Sequence, residues 1–138
     1  MLLDDAFDAL DRYDMCIAEH PSQLASQLYN KPRAGWYHSR REARWTEHRW
    51  GTLALPYWNS GVIFWRQGEA MRRVFAAWAD EWLRFAQWDE QLALMRAVYN
   101  NPVRLMVLPV GWNAPHANQA EAVFHWYGRG TSRVDGAS

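Results

Sequence analysis

The sequence predicts an α/β domain in which helices lie against a mixed sheet. Three observations point there. Short apolar and β-branched runs, MCIA at 15–18 and VRLMVLP at 103–109, have the composition of buried strands. The stretch 68–86 repeats apolar residues every three or four positions, as an amphipathic helix does. The order along the chain is helix, strand, long loop, strand, two helices, then two strands, which suits neither a bundle nor a sandwich.

Residues 4–12 predict a short helix. Leu3, Phe7 and Leu10 fall at i, i+4 and i+7 beside Ala6 and Ala9, and Asp4 and Asp5 suit its first turn. Tyr13 and Asp14 close it before the strand at 15–18. From 22 to 50 the apolar pattern fails. This long segment is rich in Trp and Arg and contains Pro32 and Gly35, so it reads as a loop, with a helical turn or two near 40–49. Its tryptophans, Trp36, Trp45 and Trp50, fit either a flap that caps the core or a loop that holds a sugar ring or phosphate. His38 and His48 lack a third group at ligand spacing, so no metal is expected there.

The stretch 53–66, LALPYWNSGVIFWR, ends in the strand-like run VIFW. The small polar triplet Asn59-Ser60-Gly61 interrupts its bulky neighbours. That pattern fits a β-bulge, and it also fits a backbone that passes close to a ligand. In the helix at 68–86, Met71, Val74, Phe75, Trp78, Trp82 and Phe85 share a face expected to be core, while Arg72, Arg73, Asp80, Glu81 and Arg84 form the wet side. A second helix begins near Asp89, a candidate N-cap or first-turn acid, and carries Leu92, Met95 and Val98 or Tyr99 until Asn100-Asn101-Pro102 stops it. Gly111-Trp112-Asn113 reads as a turn and AVFHWY at 122–127 as the last strand. One domain over 1–128 and a flexible tail over 129–138 follow.

Composition narrows the function classes. Fifteen basic and fifteen acidic residues cancel across 138 residues, so there is no electrostatic case for nucleic acid or an anionic membrane. The single Cys16 cannot pair internally and fits a reducing, cytoplasmic setting. The N-terminus lacks the basic region of a signal peptide, and no apolar run reaches the roughly 20 residues of a membrane span. Ten tryptophans is the outlying figure.

Five segments in order, FDALDRYDMCIA, YWNSGVIFWR, WDEQLALMRAV, MVLPVGWN and FHWYG, give the chain a resemblance to the second half of a nucleotide-sugar glycosyltransferase of the GT-A fold. That group includes the galactosyltransferase and glycogenin-like retaining enzymes. The resemblance implies an incomplete GT-A fold without the N-terminal nucleotide-binding half and its metal-binding Asp-x-Asp, since Met1 falls just beyond where that motif would stand. In the complete enzyme a sugar would pass from a nucleotide-sugar donor to an acceptor, with Mn²⁺ or Mg²⁺ bound. This chain alone would have little or no activity.

Carried over by position, Gln91 would lie near the reacting face of the sugar, with Glu90 and Asp89 as neighbouring carboxylates. Helix-start electrostatics explains those two acids equally well. Asn59 would hydrogen-bond the donor sugar or acceptor within the triplet that includes Ser60, and Gly61 would admit the backbone. Trp112 and Asn113 would flank the acceptor, although a capped turn explains them as well. His125 would complete the metal site, or else be satisfied by a backbone partner. Gly128 matches a family glycine, but the lysine that follows in the family falls at Thr131, so Arg129 or Arg133 would have to meet the diphosphate. The competing expectation is a non-catalytic interaction or oligomerisation domain that uses the Trp-rich loop or an exposed sheet edge.

Overall fold

A computed structural model describes residues 3–29, 36–85 and 89–113. The elements are α1 (Leu3–Ala9), β1 (Met15–Leu24), α2 (Ala25–Tyr29), α3 (Trp36–Trp50), β2 (Pro56–Trp65), α4 (Glu69–Arg84), α5 (Glu90–Asn100), β3 (Leu105–Leu108) and a 3-10 turn (Val110–Asn113). The sheet order is β2-β1-β3. β1 runs antiparallel to β2 and parallel to β3, so the sheet is mixed and the α/β class holds.

β1 is the central strand, and its side chains alternate between two cores, as a pleated strand requires. Met15 and Ile17 join Tyr57, Met71, Val74, Leu92 and Met95 on one face. Cys16 and Ala18 join Ala6, Leu108 and Trp112 on the other. Burial pushes the Cys16 thiol above its ordinary value, so it stays a protonated, apolar-like core group. At the start of the sheet, Asp14 accepts from the backbone N–H and the guanidinium of Arg104 at 2.9 and 2.8 Å, which ties β1 to β3. The Arg104 hydrogen bonds hold the Asp14 carboxyl down at about 2.

Three expectations change. The described parts of the segment at 22–50, residues 22–29 and 36–50, are not a loop: they carry the end of β1, α2 and the 15-residue α3, which contains the helical turns expected near 40–49. Gly51, at φ 75°, ends α3 in the left-handed region that glycine tolerates, with its N–H on the Glu47 carbonyl. In α1, Ala6 is fully buried whereas Phe7 is 58% exposed and meets Phe64 edge-on, so the helix is rotated from the expected face. In α4 the aromatic stripe divides: Met71, Val74 and Phe85 are core, but Trp82 is 39% exposed. Glu81, expected in solvent, is buried.

The buried Glu81 belongs to a cluster that joins four helices. Arg96 of α5 donates to Glu81 of α4 at 2.8 Å and to Glu42 of α3. Tyr29 of α2 bonds Thr46 of α3 at 3.1 Å, and the Arg96 guanidinium lies 4.7 Å from the Phe85 ring centre. Two carboxylates thus share one guanidinium. Glu42 is fully buried, and its Oε2 has no hydrogen-bond partner among the described residues. Desolvation raises its carboxyl to about 7 despite the attraction of Arg96. The same loss of solvent, added to the nearby Glu42, pushes the Tyr29 hydroxyl far above its ordinary value. Arg96 stays charged between its partners.

Candidate functional site

The site begins at an irregularity in β2. Pairing with β1 steps from Ile17↔Ile63 to Ala18↔Asn59, so Ser60, Gly61 and Val62 stand out of register. A bulge of this kind re-aims side chains and bends the strand. Asn59 Oδ1 accepts from the Gly61 N–H at 3.0 Å, which closes the turn locally. Among the described glycines it is Gly51, not Gly61, that has a positive φ.

The bulge reaches two other parts of the chain. Asn59 is buried and accepts from Asn113 Nδ2 at 2.6 Å, while its own Nδ2 lies 3.5 Å from the Asn113 carbonyl. Ser60 Oγ donates to Glu90 Oε1 at 3.0 Å. Neighbouring residues of one strand therefore bind the turn after β3 and the start of α5. Both lie at one end of the fold, since adjacent residues of β2 reach them. This is the carboxyl end of the parallel pair β1 and β3, where open α/β sheets place their ligands.

Asp89 caps α5. Its Oδ1 accepts from the Gln91 and Leu92 N–H groups, both at 3.0 Å, from an extended backbone. The helix-start reading of Asp89 thus accounts for that oxygen. Glu90 is held from two sides: Ser60 takes its carboxylate, and Trp78 Nε1 donates to its carbonyl at 2.7 Å. Among the described residues Glu90 forms no ion pair. Gln91 Oε1 and Trp112 Nε1 are buried with no hydrogen-bond partner among the described residues, an acceptor and a donor left over at the same end of the fold. Trp112 is fully buried and meets Phe64 edge-on at 5.8 Å.

His125, Gly128 and Arg129 lie outside the described residues, as do the strand expected at 122–127 and the tail from 129. Among the described residues no group of three His, Cys, Asp or Glu side chains comes together as a metal site. The metal expected from the resemblance thus finds no donor set there, and no chemical step is derived through it.

Sequence reasoning missed a groove beside this site. Phe75, Trp78, Ala79 and Trp82 of α4 and Glu90 of α5 line a cavity of about 410 Å³. The signal was present in the 3–4 residue spacing of the aromatics, but a helix face of that spacing reads as core. Trp45 meets Trp50 and Phe85, and Trp50 meets Tyr99, so these two tryptophans of α3 pack inward on their neighbours. No helix among the described residues is long and apolar enough to cross a membrane. No family model matches the chain, and neither the curated proteins nor the solved structures yield a match.

Proposed function

We propose that this chain is the acceptor-side part of a GT-A-like nucleotide-sugar glycosyltransferase, and that the corner formed by Asn59, Ser60, Glu90, Gln91 and Asn113 meets the sugar. The observation that carries this reading is the Ser60–Glu90 hydrogen bond, with the Asn59–Asn113 pair beside it in the chain. Three polar segments far apart in sequence gather at the carboxyl end of a parallel strand pair. Sugar hydroxyls need both donors and acceptors, and the hydroxyl of Ser60, the carboxylate of Glu90 and the amides of Asn59 and Asn113 include both kinds.

In such a transfer the anomeric carbon gains positive charge as the diphosphate leaves. A carboxylate fixed in place before the reaction stabilises that charge without reorganising. Glu90 is the carboxylate positioned for this, with Ser60 setting its orientation. Asn59 and Asn113 orient each other and fix the floor of the corner.

Saturation-transfer NMR with a panel of UDP- and GDP-sugars and Mg²⁺ tests the reading. Saturation of hexose ring protons, reduced in Glu90→Ala, is the expected result. Absence of saturation transfer from the folded chain to every member of the panel would count against it.

A further inference from the structure

The groove on α4 shares Glu90 with the sugar corner, but the rest of its lining is a separate, aromatic surface. Among the described residues its lining is Phe75, Trp78, Ala79 and Trp82, with Glu90 as its single charged residue. Phe75 and Trp78 lie 6.2 Å apart at 33°, and Trp65 closes on Phe75 edge-first at 5.3 Å. Trp78 cannot swing freely, because its indole N–H is bonded to the Glu90 carbonyl at 2.7 Å. Ser60 fixes the Glu90 carboxylate at 3.0 Å. Among the described residues neither Lys nor Arg lines the groove. About 410 Å³ is within the range of small-molecule sites.

A polyhydroxylated ligand would leave most of its hydroxyls against apolar walls, with one carboxylate to satisfy them. An anion would meet Glu90 and the negative faces of the rings. A cation with an apolar surface gains from both features, since aromatic faces attract it and the carboxylate completes its charge. We propose that the groove of Phe75, Trp78, Trp82 and Glu90 binds a small, free organic ammonium ion of the quaternary type. Trp82, part exposed at the mouth, supplies the ring that folds over the cation, and Glu90 sits at the rim.

Isothermal titration with choline and with its uncharged isostere, 3,3-dimethylbutan-1-ol, tests this on the full chain. Choline should bind at least about tenfold more tightly, the factor that one good cation–π contact with a carboxylate supports. Glu90→Gln should erase most of that difference and leave the isostere unchanged. Trp82→Ala, at a part-exposed position, should weaken choline several-fold while circular dichroism reports an intact fold. Equal affinity for the two compounds, or a choline affinity indifferent to both substitutions, overturns the proposal. Binding to phosphatidylcholine vesicles without binding of free choline overturns the assignment to a free small molecule.

Discussion

Arg96 is the residue whose surroundings most constrain the fold. It is fully buried, and one guanidinium serves two carboxylates, so removing it strands both. Breaking such a cluster from one side costs about 3–5 kcal/mol, and Arg96→Met is expected to lose that much in urea unfolding. Glu42 gives the cluster a pH dependence. Its carboxyl is raised in the folded chain from 4.5 to about 7, so folding favours the protonated form. That contribution is complete below the ordinary carboxyl range and disappears as pH rises through about 7. The unfolding midpoint should therefore fall between about pH 5 and about pH 8, and Glu42→Gln, permanently neutral, should flatten the decline. An unchanged slope in that variant would remove Glu42 from the account. None of this was legible in the sequence: Glu42 and Glu81 resemble the other charged residues of their helices, and only the packing of α3, α4 and α5 turns them inward.

At the scale of elements, α5 was the most readable. Asp89 before an apolar run identified its start, and the cap geometry accounts for the choice. Asp89→Ala should cost about 1 kcal/mol in urea unfolding, the ordinary price of a lost N-cap. A loss near zero would mean that the two N–H groups find water instead. α3 was unreadable for a physical reason. Arg40, Arg41, Arg44, Glu47, His48 and Arg49 are exposed, and two of its buried positions are the polar Glu42 and Thr46. Apolar periodicity is absent because hydrogen bonds and an ion pair perform the packing. In α4 the periodicity was real but its meaning was divided: the same spacing that buries Val74 also sets Trp78 and Trp82 along a groove. β2 was legible as a strand broken at Asn59-Ser60-Gly61, and the break is the bulge that reaches Glu90.

For the whole molecule, the order of the segments was visible in the sequence but their meeting was not. α5 packs on α4 and β2, and β3 runs parallel to β1; the adjacent residues Asn59 and Ser60 of β2 bond the turn after β3 and the start of α5, so both lie at one end of the sheet. The bulge of β2 faces them there, and Asn59, Ser60, Glu90 and Asn113 become neighbours. Among the described strands β2 and β3 are both edges, each hydrogen-bonded on one side. The most direct test of the sugar-site reading is saturation-transfer NMR on the folded chain with UDP- and GDP-sugars and Mg²⁺, read proton by proton. An acceptor-side surface should saturate the hexose protons more strongly than those of the base, and Glu90→Ala should remove the hexose signal. Saturation confined to the base, or hexose saturation that survives Glu90→Ala, contradicts it.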